Sequence, residues 1–381
     1  MGIFANPLTD LLEYEDFSRD FLKGTDPVGM TGCIDSEKVH FMSTFLGEKK
    51  VQLVVTYNEQ RAREIEEDYK LFCSQVYVIP PRDLIFFSAD LQGNAIIAER
   101  MKAFAALYQN EAKVIITTMD ALMSEAVPFE QLMSHVIKLK EGDELDLEKL
   151  KHDLTVMGYE RVGRVEEPGQ FTVHGGIADV YPLTMEVPVR IELWGDEIDS
   201  IRSFDPESQR SLENLEELTI YPAVEHIGDK DMVSFLDYFP EERTIIFLDE
   251  PNRLTEKGGA VEEEYRQSRM HREEKGSRNL PENWLCSFEQ LQKELNKRNC
   301  ISVCALEPKQ AGWKVREKFY LEVKSISAYN NSFELLVKDL HQYKKQGYRI
   351  ALLSGSRTRA ERLAKDLQEE GLAAFYGQDY D

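Results

Sequence analysis

Between Tyr159 and Phe204 the chain carries four short apolar runs: Phe171 to Val173, Ile177 to Tyr181, Val189 to Trp194 and Ile198 to Phe204. Pro168-Gly169, Gly175-Gly176, Pro182 and Gly195-Asp196 divide them. Runs this short, separated by turn formers, predict a small antiparallel meander. Val189, Ile191 and Leu193 fall on one face by the two-residue period of a strand. Ile198 and Ile201 are three apart and cannot both point to one side of a regular strand, so a bulge or strong twist is expected after Gly195-Asp196.

Around the meander the pattern changes. Leu11, Leu12, Tyr14, Phe17, Phe21 and Leu22 recur at helical spacing, and an apolar helix is expected from Glu37 to Leu46. Val51 to Val55 reads as a buried strand, residues 59 to 73 as a charged surface helix, and Val76 to Ile79 as another strand ended by Pro80-Pro81. Ile97, Met101, Phe104, Ala105 and Tyr108 form a helical stripe before a strand at Val114 to Thr118. A helix beginning near Leu145 and running to Met157 leads into the meander. Further strands are expected at Thr244 to Glu250, Ile301 to Ala305 and Ile350 to Ser354. Strand and helix alternating in this way predict an α/β fold with a mostly parallel sheet.

The 381 residues suffice for two or three cores, and 42% apolar with 30% charged residues is a soluble globular balance. A formal charge of -23 works against phosphate binding unless basic groups cluster, so protein partners are expected ahead of nucleic acid. A nucleic-acid binder without ATPase activity stays open only if such a basic strip exists. No run approaches the ~20 apolar residues that cross a bilayer, and no membrane partner is expected. Five scattered cysteines argue against a disulfide framework and for a reducing, cytoplasmic setting. Cys300 and Cys304 share a face of a strand-like run and read as buried, inert thiols.

Arg161, then PGQFTVHGG, IADVYP and VRIELWGDEIDSIRSFD, resemble domain 2 of the repair helicase UvrB and, more closely, the matching domain of the bacterial transcription-repair coupling factors. The likeness continues, more weakly, along the whole chain. It implies a degenerate RecA/helicase-like parallel-sheet body with an inserted small α+β domain containing the meander. The expected boundaries are 1–134 and 223–381 for the two parts of the body and 135–222 for the insert. It also implies UvrA as partner, with RNA polymerase, double-stranded DNA, ATP and magnesium engaged by later domains of a longer protein. The docking domain is either free or masked within that protein. The closing QDYD carries no domain-closing signal, in keeping with such a continuation.

Where UvrB-like helicases carry the phosphate loop GxxxxGK[ST], residues 29 to 36 read GMTGCIDS. Gly29, Gly32 and Ser36 fit the frame. Ile34 stands where a glycine lets backbone N–H groups turn around the phosphates, and Asp35 where a lysine neutralises them. A unit charge pair at ~4 Å and an effective dielectric near 20 is worth about 4 kcal/mol, so Asp35 turns an attraction of that order into a repulsion. No nucleotide or metal is expected here. Asp249 and Glu250 resemble the second helicase motif, which holds magnesium and orients water in a live enzyme. Here they are expected as relics or structural caps, on a strand lying beside the phosphate-loop strand. The extended hairpin that UvrB carries between Pro81 and Ala95 is expected to be missing. The body is therefore expected not to be an enzyme; the competing reading is an active ATP-dependent helicase domain.

The resemblance places the UvrA contact on the meander. Arg161 falls on an arginine that UvrB relatives use, while Thr172 and His174 replace two others. Arg161 and Arg164 would supply positive charge. Phe171 and Tyr181 stand under two readings, as apolar anchors or as core of a small sheet. Arg266, Arg269 and Arg272 are interspersed with glutamates and read as a salt-bridged solvent face.

Overall fold

The computed structural model describes residues 8, 12–23, 27–34, 36–47, 49–82, 91–225, 232–274, 284–307, 312–322, 326 and 328–377. Asp35 and residues 378–381 lie outside that set, as do 83–90, most of the stretch in which the hairpin is expected to be missing. The first elements are α1 (Leu12–Lys23), β1 (Val28–Thr31), α2 (Ser36–Ser43), β2 (Val51–Thr56), α3 (Glu59–Tyr69), β3 (Val76–Ile79), α4 (Leu91–Tyr108) and β4 (Val114–Thr118). Helix α3 starts where it does because the Asn58 side chain accepts from the Arg61 N–H at 2.7 Å, satisfying one of the free donors of its first turn. After β4 come α5 (Met119–Met123), the two-residue β5 (Glu125–Ala126) and α6 (Phe129–Met133).

The chain then leaves this layer through β6 (Ile137–Lys140) and α7 (Leu147–Val156), whose Asp146 cap accepts from Glu148 and Lys149. The expected meander follows as β7 (Glu160–Arg161), β8 (Gln170–His174), β9 (Ile177–Val180), β10 (Val189–Trp194), β11 (Glu197–Phe204) and β12 (Ser211–Asn214). They form one six-stranded sheet in the order β12-β11-β10-β9-β8-β7. All neighbours are antiparallel except β7 and β8, which run parallel. The bulge is present: Glu192 pairs with Ser200 but Leu193 with Ile198, so Asp199 is the extra residue. That insertion lets Ile198 and Ile201 both enter the core with Phe171, Val173, Ala178, Val180, Val189 and Ile191. Strand β13 (Glu217–Ile220) returns antiparallel to β6, with Leu218 opposite Leu139, and both leucines join that core.

The main layer resumes with β14 (Val233–Ser234), β15 (Thr244–Asp249), α8 (Pro251–Glu274), α9 (Phe288–Leu295), β16 (Cys300–Cys304) and β17 (Glu317–Tyr320). The seven-stranded sheet has the order β17-β1-β16-β15-β2-β4-β3 and is parallel throughout. Strands β2 and β15 are buried at every position, which is why their sequences read as continuous apolar runs without alternation. Strand β15 lies beside β2 but not beside β1: β16 stands between them, a correction to the expected neighbourhood. Burial pushes the thiols of Cys33, Cys300 and Cys304 up to about 12, which leaves them inert.

Where the chain passes from the six-stranded sheet back toward β14, Arg100 of α4 meets Glu225. Both are buried; Nε donates to Oε1 at 2.5 Å, one terminal nitrogen to Oε2 at 2.9 Å and the other to the Pro80 carbonyl at 2.6 Å. The guanidinium also lies 5.3 Å from the Phe235 ring centroid.

Contacts group the chain into two compact units, Leu12–Leu321 and a second comprising Met1–Leu11 with Glu322–Asp381. In the second, α10 (Phe333–Lys345) and α11 (Arg357–Glu369) bury Val337, Leu340, Leu367 and Leu372 together. The strand expected at Ile350 to Ser354 is not formed. A buried parallel strand needs ladder partners, and among the described residues none pairs with this run, whose Ile350, Leu352 and Leu353 are exposed.

Candidate functional site

Two places on Leu12–Leu321 bear on function, and the first is the locus where the sequence resembles a phosphate loop. Gly29 lies within β1, between β16 and β17, and a Cβ on it would come 3.0 Å from Val315. Gly32 follows with φ +87°, and a Cβ there would fall 2.1 Å from the Leu321 carbonyl oxygen. Its glycine is thus required by this chain's own backbone. Ile34 is half-buried, and Ser36 opens α2 as an exposed residue.

Two residues beyond Ser36, Lys38 turns its side chain into the locus. It is 5% exposed, and Nζ donates to Asp249 Oδ1 and to Glu250 Oε1, each at 2.6 Å. Asp249, itself buried, accepts from Thr56 Oγ1 at 2.8 Å and lies 3.4 Å from Arg61 Nε. Glu250 accepts the Ala305 N–H at 2.8 Å, and its φ of +54° places it in the left-handed region that a non-glycine residue enters only under constraint. Two cations thus face two carboxylates, bridging α2, α3, β2, β15 and the end of β16. Burial pulls the Lys38 ammonium down, but the Asp249 charge and the hydrogen bonds to both carboxylates outweigh it and hold the group above its ordinary value. Asp249 and Glu250 are therefore engaged from within. Asp35 and Ile34 drew attention in the sequence; Lys38, outside the motif frame and 211 residues from Asp249, gave no sign.

The second place is the outer face of the six-stranded sheet. Residues directly opposite one another in a ladder share a face. His174 pairs with Ile177, Ile177 with Glu192, and Trp194 is two residues further along β10, so these four side chains point away from the core. On the same face Asp179 and Arg190 form a two-pronged pair at 2.8 and 2.7 Å, and Arg190 also covers Phe204 at 4.8 Å from its ring centroid. Glu192 pairs with Arg202. Trp194 is 84% exposed and Ile177 39%.

The five residues expected to meet a partner divide. Phe171 is fully buried in the sheet core, and Tyr181 is buried with its hydroxyl donating to the Glu186 carbonyl at 2.6 Å. Neither is an exposed anchor, because the alternation that places Val173 inward places Phe171 inward with it. Arg164 donates to the carbonyls of Pro206 and Glu207 at 2.9 and 2.6 Å and lies 3.4 Å from Glu166, tying the turn after β11. Arg161 is exposed at the sheet's edge, and His174 is exposed on the outer face. Thr172 is buried. Trp194 was missed, although its signal was in the sequence: Val189, Ile191 and Leu193 share the inner face, so the next residue must point outward.

A family model for the UvrB interaction domain matches residues 137–226, the span from β6 to just beyond β13. The transcription-repair-coupling factor of Staphylococcus haemolyticus is 34% identical over 220 residues, covering 57% of this chain and 19% of that protein. That of Staphylococcus aureus strain USA300 is 33% identical over 243 residues, covering 62% of this chain and 20% of the relative. The chain thus spans about a fifth of the length of these relatives. The chain is thus similar to the UvrB interaction domain from β6 to just beyond β13, and over about three fifths of its length to transcription-repair-coupling factors.

Proposed function

We propose that this chain recruits UvrA, the damage-recognition protein of excision repair, to RNA polymerase stalled at DNA damage, and that its helicase-like body serves as a scaffold without nucleotide. The observation that carries the reading is the coincidence of the matched interaction domain with a sheet whose outer face ends in the exposed His174, Ile177 and Trp194. Residues 135–222 act as the inserted docking domain; the β6–β13 ladder that joins their two ends supports this boundary. Contacts to RNA polymerase and DNA, and the ATP-driven motor with its magnesium, belong to further domains of the full-length protein.

The ion-paired locus supports the scaffold role. Magnesium binding at Asp249 and Glu250 would require displacing a buried ammonium from both carboxylates. A phosphate approaching Gly32 would meet no open cradle, since the Leu321 carbonyl lies against it. The test is a pair of calorimetric titrations of the chain. UvrA should give saturable heat, and ATP with magnesium should give none. Saturable ATP binding would overturn the scaffold role, and absence of UvrA binding would overturn the recruiting role.

A further inference from the structure

Trp194 has no structural task that explains its place. Leu193, its neighbour on β10, packs against the core, while the indole stands 84% exposed at the end of the sheet. Two glycine turns flank it, Gly175-Gly176 on the β8–β9 connection and Gly195 at φ +65°, and its partner across the ladder is the exposed Glu197. Ile177, 39% exposed, shares its face and faces Glu192 across the ladder. Glu144, bridged to Glu197, joins Asp196 and Glu197 as exposed acidic residues beside the tip. The other charges of this face are already paired within the sheet, Arg190 with Asp179 and Arg202 with Glu192. An exposed aromatic with an unpaired acidic fringe is the part of the face left to an outside partner.

Building on the UvrA-recruiting role, we propose that Trp194, supported by Ile177, is the apolar anchor of the UvrA contact. It enters an apolar pocket whose rim is basic, complementary to Glu144, Asp196 and Glu197. Phe171 and Tyr181 are buried and cannot take this part.

The test measures UvrA affinity of the 381-residue chain and of two variants. Trp194→Ala should weaken binding by about thirtyfold, as for a central aromatic anchor, and Trp194→Phe should stay within about threefold of the parent. Tryptophan fluorescence lost in Trp194→Phe should be quenched by iodide in the free chain and protected when UvrA is added. If the parent binds UvrA while Trp194→Ala binds equally well, or if the indole gains no protection, the anchor is refuted and the recruiting role stands. If the parent does not bind UvrA, both fall together.

Discussion

The carboxylate locus at the end of β15 and the outer face of the six-stranded sheet carry similar side chains under opposite constraints. At the locus, Lys38, Arg61, Asp249 and Glu250 are drawn together in a poorly hydrated interior, and each carboxylate is paired from within the chain. On the outer face, Asp179, Arg190, Glu192 and Arg202 also pair, but beside them a tryptophan and a fringe of acids stay in water. Paired charge closes a site; uncovered apolar surface next to unpaired charge opens one. The two places thus differ in what they leave for an outside ligand, although both are built from the same kinds of side chain.

The largest effect is expected from breaking the closed side of this comparison. Lys38→Met leaves two carboxylates without their shared cation and should lower unfolding free energy by about 3 kcal/mol or more in denaturant titrations. Asp249→Asn should also destabilise. The double variant should lose clearly less than the sum of the two single losses, because both remove one interaction. Additive losses would show that Lys38 and Asp249 do not depend on each other.

The same pair gives a pH signature. Lys38 holds its proton more tightly in the folded chain than in the unfolded one, so its contribution is fully present below the ordinary lysine value and is lost as pH rises through the raised folded value. Buried tyrosines, among them Tyr159 and Tyr238, also disfavour the folded state at alkaline pH, since burial pushes their phenols up. The informative quantity is therefore the stability difference between parent and Lys38→Met. It should be constant from pH 7 to about 10 and shrink above the ordinary lysine value of about 10.5. A difference that grows with pH would contradict a charged Lys38.

On the open side, Arg161→Glu should weaken UvrA binding by about tenfold, about 1.4 kcal/mol, without loss of thermal stability. Among the described residues no side-chain partner to Arg161 is found, so its reversal costs the fold little. Unfolding of the variant would make Arg161 structural; unchanged UvrA affinity would remove it from the contact.

These residues also show how far the sequence could be read. The parallel sheet was legible because β2, β4 and β15 are continuous apolar runs, and the bulge was legible because Ile198 and Ile201 break the two-residue period. The inward turn of Phe171 and the outward turn of Trp194 follow from the same alternation, once it is carried through each strand. The closure by Lys38 was not legible. It depends on α2 starting at Ser36, on a four-carbon stem reaching across the layer, and on β16 standing between β1 and β15. Those are tertiary facts with no local pattern. The same holds for Arg100 and Glu225, distant in sequence and joined only where the chain returns from the six-stranded sheet.

The smallest expected effect concerns His174. It lies on the outer face opposite Ile177, near the tip that bears Trp194, where the resemblance to UvrB implies an arginine. His174→Arg keeps an exposed polar side chain at the end of β8, so the fold should not notice it. A guanidinium adds a fixed charge and a planar set of donors that an imidazole does not offer. Exposed charge interactions are worth about 0.5 kcal/mol, so a guanidinium set against the partner's basic rim should lower UvrA affinity by about two- to threefold at low salt, and the loss should fade as salt screens it. A loss that persisted at high salt would mean that the larger side chain obstructs the contact instead of repelling a charge. A gain of affinity would place a carboxylate of the partner opposite His174 and would contradict a basic rim around Trp194.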